Sequence, residues 1–516
     1  MLKLEQPLVL DAAAIASANL CDRFSEADLK LIGNECFTGY DSDKRSRAAW
    51  ERRNEAGMDL ALQVVEGKNF PWAGCSNIKF PLVTIAAMQF HARAYPAIIN
   101  GGEIVACRTF GDDPTGEIAK RAARISTHMS WQLSQQDRGW EEGQDKNLFN
   151  LSIVGTTFKK SRRDSAKAHN VSELVLAKNL VVDYWSKSFE DCPRKTQLIP
   201  FSRNDIRERV LSGVFRDVLE EGWYKGTPAT QASTQQIKQD QRQGVTAPMP
   251  DGTTNFMLGE QHVDMDLDQD GYDEPYIITF DIASKSVLRI VTRFDSEAAI
   301  VRVASGTRKG EIIRVKSDNF YTAYIFIPSP DGGVYGIGFG VLLGPLNESV
   351  DSMINQLVDA GTMQNTAGGF LGRGAKMRSG NITFAPLEWK RVDASGDDLR
   401  KNIFPLPVNQ PSTVIFQLLS LLINYTNRIS GSTDMMVGEN PGQNTPAETS
   451  RTMVEMGQKI YTALFKRIWR AAEEEFHKLY RLNGKFMGME EKVPGGATRD
   501  DYLGAPDVAP AADPNI

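Results

Sequence analysis

The chain has 516 residues, 59 of them Lys or Arg and 65 Asp or Glu, for a formal net charge of −6. A length of this kind holds about two to four domains, and a composition that is 41% hydrophobic and 24% charged excludes wholesale disorder, collagen and coiled-coil rods. Proteins that grip nucleic acid by neutralising phosphates are normally basic, so the acidic balance argues against tight general DNA binding by one chain.

Ser25-Glu-Ala-Asp28 has the capping-box pattern and opens a short helix ending near Gly39. A second helix is expected from near Ser42 to Gly67, with Trp50, Met58, Ala61, Leu62 and Val65 on one face. A turn-rich segment at 70–77 precedes a helix that begins at Pro81 and breaks before Pro96. Residues 116–154 read as two more helices, and β-forming residues take over at 156–159 and 174–184. Residues 226–262, rich in Gln, Thr, Pro and Gly, read as a mobile surface loop.

An acidic run follows at 264–274. Started at Asp266, it places Asp266, Asp268 and Asp270 at the first, third and fifth positions of an EF-hand loop, with Gly271 at the sharp turn. The position that should supply a bidentate Glu is Ile277, and the next residues alternate like a strand. The ordinary reading is an acidic turn with no metal; the alternative is calcium held by the three aspartates. Strands continue from 275 to 327, with 287–291 and 312–315 as clear members.

Gly344-Pro345 is expected to start a helix with Leu346, Val350, Met353, Ile354 and Leu357 at helical spacing, ending at Gly368-Gly369. A short strand-and-turn segment, 370–410, carries a basic surface of Arg373, Lys376, Arg378, Lys390 and Arg391. The next helix starts after Pro411 and runs to about Ser430. It has an apolar face of Ile415, Leu418, Leu419, Leu422 and Ile429 and a neutral polar stripe of Gln417, Ser420, Asn424 and Asn427. A glycine-rich loop, 431–444, contains Asp434, Met435, Met436, Glu439 and Asn440 and no basic residue. Thr445-Pro-Ala-Glu448 caps a long helix that puts Met453, Met456, Ile460, Leu464, Ile468 and Ala471 on one face. The tail after about 488 lacks core-forming residues and is expected to be disordered.

Enzymatic signatures do not occur. Gly67-Lys68 and Gly484-Lys485 lack the following Ser or Thr of a phosphate-binding loop, and no G-x-S-x-G exists. The five histidines stand far apart in sequence. The expectation is a protein that is not an enzyme and needs no cofactor; a calcium-dependent hydrolase using the acidic run is the competing class, and a monomeric scaffold or structural protein is another. The five cysteines, at 21, 36, 75, 107 and 192, have neither metal nor redox spacing, which fits free thiols in a reducing compartment. The first residues make a poor signal peptide, and the apolar stretches at 81–99 and 414–425 are interrupted by polar residues, so an intracellular chain without membrane spans is expected.

This order of parts resembles the portal proteins of tailed bacteriophages, the head–tail connector rings. Phe70-Pro-Trp-Ala-Gly-Cys-Ser-Asn77 with Pro81-Leu82 is similar to that family's Trp-x-Gly-x-Ser-Asn segment. Gly155-Thr-Thr-Phe-Lys-Lys160 and the strand ending at Tyr184-Trp185 resemble its wing. Residues 328–340 leading into Gly344-Pro-Leu-Asn347 resemble the approach to its first stem helix, and 355–370 that helix and its exit.

The resemblance implies an α+β fold with portal architecture: an α/β wing over 1–340, helical first and then β-rich. A first stem helix (345–367), a small β-containing clip (370–410), a second stem helix (412–430) and a tunnel loop (431–444) would follow. A long wing helix (445–487) and a much reduced crown (488–516) would complete the chain. It further implies a ring, typically of twelve, at one capsid vertex, which conducts double-stranded DNA without sequence-specific binding during genome packaging and ejection. Its partners would be the terminase large subunit, head–tail adaptor and tail proteins, the major capsid protein and scaffold, with assembly in the host cytoplasm and a final place in the virion. In that setting Gln417, Ser420, Asn424 and Asn427 would line the channel. A wall without cations suits passage, because every Lys or Arg would add counterion-release affinity for the duplex. Twelve chains at −6 carry −72 in total, a mild repulsion that would keep DNA centred.

Overall fold

The computed structural model describes residues 3–65, 68, 74–99, 103–164, 167–217, 256–296, 299–303, 310–365, 369–371, 403–405, 412–430, 447–488, 493–503 and 508–511. The chain is α+β. The N-terminal part is helical: α1 (Ala12–Ile15), α2 (Glu26–Ser46), α3 (Ala48–Ala61) and α4 (Leu82–Ile98). Ser25 caps α2 as its sequence pattern requires, accepting the Asp28 amide at 3.1 Å.

The expected break near Gly39 does not occur. Ile32, Cys36, Tyr40 and Asp43 keep one continuous buried face, and two N–H···O bonds of 2.7 Å from Arg194 hold Asp43 in it. α3 stops at Ala61 rather than at Gly67, closed by Gln63 in the left-handed region at φ 53°. α4 runs through Pro96, which falls in its last turn and forfeits a single ladder bond there.

After β1 (Ala106–Thr109) come α5 (Glu117–Trp131) and α6 (Gly139–Val154), the two expected helices. The β-rich part follows: β2 (Thr156–Asp164), β3 (His169–Val175), β4 (Leu180–Val182), β5 (Arg194–Phe201), α7 (Arg203–Leu211), β6 (Phe256–Met265), β7 (Glu274–Asp281), β8 (Val287–Thr292), β9 (Ile300–Arg302), β10 (Ile312–Val315) and β11 (Tyr321–Ile325). The last stretch holds α8 (Phe339–Asn365), β12 (Gly369–Leu371), β13 (Ile403–Pro405), α9 (Thr413–Ser430), α10 (Ala447–Phe486), α11 (Arg499–Leu503) and β14 (Val508–Ala511).

Every strand pairing among the described residues is antiparallel. β4-β5-β6-β7-β8 form one sheet and β11-β2-β3 another; β9–β10, β12–β13 and β1–β14 are two-stranded. Tyr276, Ile278 and Phe280, alternate residues of β7, face α2 residues Leu29, Ile32 and Cys36 in one core. A separate core gathers α4, α5, α6, α8 and α10 around Phe90, Met129, Trp140, Leu343 and Phe476. On α10, Leu464, Ile468 and Ala471 are buried as their spacing predicts; the side chains of Met453, Met456 and Ile460 lie outside the described residues.

Two expectations for irregular segments need correction. Residues 256–262, read as part of the loop, belong to β6, paired on both sides with β5 and β7; the Gln/Thr-rich stretch before them lies outside the described residues. The tail is ordered at α11 and β14. Isolated anchors achieve this without a hydrophobic run: Tyr502 and Val508 are buried, and Arg124 grips Asp501 at 2.5 Å.

Candidate functional site: a four-sided helix and an acidic loop

α8 begins at Phe339, ahead of the expected start, so Pro345 lies inside it. Phe339 and Leu343 anchor its first turns in the core, and Gly340 touches Gly57 of α3 so closely that a Cβ on Gly57 would stand 2.8 Å from the Gly340 Cα. Beyond the proline, Asn347, Asp351, Asn355 and Asp359 recur every fourth residue and form one buried polar stripe.

That stripe takes up the backbone of the segment before α4. Asp359 accepts the Ser76 amide at 2.7 Å, Asn355 the Ile78 amide at 2.7 Å, Asp351 the Phe80 amide at 2.7 Å, and Asn347 the Leu82 amide at 3.2 Å. Alternate amides of an extended chain point the same way and repeat about every 6.6 Å, close to the rise of four helical residues, so the two elements stay in register. The four-residue spacing of Asn347, Asp351, Asn355 and Asp359 is visible in the sequence, but nothing in it shows that the row meets the backbone of another segment.

Segments that carry the family resemblance thus meet in space: 74–83 lies along 347–359. Likewise Gly155, at φ 92° where a side chain would be strained, packs against the backbone of Gly336 and Gly338.

α9 packs on α8 and has four sides: a buried row, two apolar flanks and a polar stripe. At about 100° per residue, Ile415, Leu419, Leu422 and Thr426 share one row. Leu419 and Leu422 reach the helical core, and Thr426 is buried. About 90° around the axis stands a second row of Val414, Leu418, Leu421, Tyr425 and Ile429, all exposed, Val414 at 64% and Leu421 at 50%. Phe416, 53% exposed, and Ile423 occupy the opposite flank. The exposed polar residues Gln417, Ser420 and Asn424 lie between the flanks, about 150° from the buried row. Leu418 and Ile429 were expected on the buried face. The seam with α8 is narrower than the apolar pattern, which leaves both of them outside at 43% and 44%.

The acidic run forms the turn between β6 and β7, as its ordinary reading expects. Asp268 accepts the Asp270 amide at 3.1 Å, Asp266 the Gly271 amide at 3.2 Å, and Asp270 the Tyr272 amide at 2.8 Å. The cluster it builds differs from the expected trio. Carboxylate oxygens of Asp266, Asp268 and Glu274 lie within 4.8 Å of one another, and Asp270 is not among them. Glu274, the first residue of β7, is fully buried. Burial, then the charges of Asp268, Asp270 and Asp266, push its carboxyl up to about 8. Burial likewise raises Asp268.

The basic residues Arg373, Lys376, Arg378, Lys390 and Arg391, the loop residues Asp434, Met435, Met436, Glu439 and Asn440, and the side chain of Asn427 lie outside the described residues. No helix among the described residues is long and apolar enough to cross a membrane. Neither a family model nor a curated protein matches the chain.

Proposed function

We propose that this chain is the subunit of a closed ring that conducts double-stranded DNA, the portal of a tailed bacteriophage, seated at a capsid vertex and bound by terminase and tail adaptor. The observation that carries the reading is the four-sided surface of α9. A helix inside a ring needs one side for its own chain, two opposed flanks for the neighbouring copies and a fourth direction facing the lumen. α9 offers a buried row, apolar flanks about 180° apart and an uncharged polar stripe between them. Isolated exposed apolar residues are ordinary, but a contiguous row of five large ones on a helix marks a surface made to be covered. Supporting it, the segments that resemble portal proteins pack on one another through the α8 ladder and the Gly155–Gly338 contact.

In this reading α8 and α9 are the stem, β12 and β13 belong to the clip, and α10 returns to the wing. The channel wall is then neutral or acidic, and the duplex slides past it without trading counterions for protein cations. Mass measurement and particle imaging of the purified chain test the proposal. A closed assembly of about a dozen copies, with α9 around an opening wide enough for a duplex, is the expected result. A monomer at micromolar concentration, or a ring whose opening is lined by some other element, overturns it.

A further inference from the structure

We propose that Asp266, Asp268 and Glu274 form a binding site for one calcium ion at the β6–β7 turn. The acidic cluster alone would not carry this, because turns collect aspartates for their own hydrogen bonds. The independent observation is Glu274. Its side chain is fully buried, both carboxylate oxygens are sealed from solvent, and neither has a hydrogen bond of good geometry, the equally buried Tyr276 hydroxyl being close enough to interact with it; Asp266 Oδ1 is likewise sealed and without a hydrogen-bond partner. Buried carboxylate oxygens without donors are costly and uncommon. Such oxygens on Glu274 and Asp266, in a cluster where each of these residues and Asp268 brings a carboxylate oxygen within 4.8 Å of the others, are the arrangement a hard cation resolves.

The donor set selects the ion. Calcium accepts several protein carboxylates in a flexible oxygen shell, whereas magnesium keeps most of its waters and is usually held by one or two carboxylates, so three carboxylates gathered at one turn suit calcium. The donors are all oxygens, with no His or Cys among them, which also fits calcium rather than zinc. The loop differs from an EF-hand in its third protein ligand, which comes from the first residue of the following strand instead of from a helix.

The ion would also fasten the N-terminus. The Leu8 amide donates to the Leu267 carbonyl at 2.9 Å, and Gln269 Nε2 donates to the Leu4 carbonyl at 3.3 Å, so the loop that would close on calcium carries the N-terminal segment against the sheet. Tyr272 on the same loop accepts the Val315 amide at 3.2 Å, which ties in β10.

Calorimetric titration of the full, chelator-treated chain with calcium chloride, and separately with magnesium chloride, tests the site. Saturable calcium binding at one ion per chain is expected, with a rise in Tm and slower amide exchange at Leu8; magnesium should bind at least about tenfold more weakly. Glu274→Gln and Asp268→Asn should each weaken calcium at least about tenfold, while Asp270→Asn stays within about threefold. Asp268 is partly exposed, so its variant serves should Glu274→Gln fail to fold. No saturable calcium binding, equal affinity for magnesium, or binding that survives both ligand substitutions overturns the proposal. The site lies away from α9 and needs no ring, so its failure leaves the assembly measurement untouched.

Discussion

Asn355 pairs with Ile78 as one β-strand pairs with another: its Oδ1 accepts the Ile78 amide at 2.7 Å, and its Nδ2 donates to the Ile78 carbonyl at 3.1 Å. A carboxamide is the one neutral side-chain group that carries both donor and acceptor at this separation. Its neighbours in the stripe, Asp351 and Asp359, only accept. Asn355→Leu should therefore strand both backbone groups of Ile78 and cost about 2–4 kcal/mol in urea unfolding. Asn355→Asp should be costly as well, since it removes the donor and sets a third carboxylate in the row. A Leu variant within about 0.5 kcal/mol of the parent would show that the ladder contributes nothing.

A second prediction concerns Glu475 of α10, fully buried where four elements join. It accepts from Trp140 Nε1 of α6 at 2.8 Å, from Lys159 Nζ of β2 at 3.3 Å and from the Tyr324 hydroxyl of β11. Burial depresses Lys159, Glu475 opposes that effect, and the ammonium stands 4.5 Å from the Trp140 ring centre. Glu475→Ala leaves a buried cation and two donors without their acceptor, which should cost about 3–5 kcal/mol. The pair Lys159→Met with Glu475→Leu should cost less than the two single changes added, because no charge is left behind. Denaturant melts of the four proteins decide it; strict additivity would mean the two groups do not interact.

Acid should unfold the β-rich part through His262. Buried on β6, it reaches Glu260 at 3.1 Å and faces Lys160, Arg293 and the Phe320 and Tyr321 rings. Burial, with Lys160 and Arg293, outweighs Glu260 and lowers the imidazole to about 4. The unfolded chain takes up that proton near pH 6.5 and the fold refuses it, so stability is complete above 6.5 and declines as pH falls toward 4. Glu260 adds to the decline below its ordinary 4.5. Burial raises it, but Lys160 at 2.6 Å and His262 outweigh burial and hold it well below that value. Between pH 7 and 4.5 the loss should reach about 2–3 kcal/mol, read as falling Tm. His262→Gln should flatten the profile over that window, and a slope equal to the parent's would refute the assignment.

What could be read from residues alone divides along physical lines. Helices with strong local signals, such as the Ser25 cap and the Leu464–Ile468–Ala471 spacing, formed where expected. Boundaries set by tertiary contact did not: Gly39 and Pro345 signal ends, yet Arg194 on Asp43 and the core around Phe339 carry the helices through them. The polar stripe on α9 was legible because exposure follows from type; which apolar row would be covered was not, since that depends on the width of the seam with α8. Glu274 was passed over because its role comes from being buried beside the aspartates, a consequence of β7 starting there.

The α9 surface makes opposite predictions for its flank and its polar stripe. Under the proposed ring, Leu421→Asp puts a charge in the exposed apolar row without touching the buried one, so the chain should stay folded and fail to assemble. Changing Gln417, Ser420 and Asn424 together to Lys leaves both flanks intact, and the ring should form. Those lysines would give the wall phosphate-binding sites, each adding counterion-release affinity, so DNA packaging or ejection should slow by about tenfold or more and recover as salt is raised. Salt recovery separates this from a damaged channel, which added ions would not repair. Unchanged packaging and ejection rates in the lysine variant would mean that DNA does not pass along this side of α9.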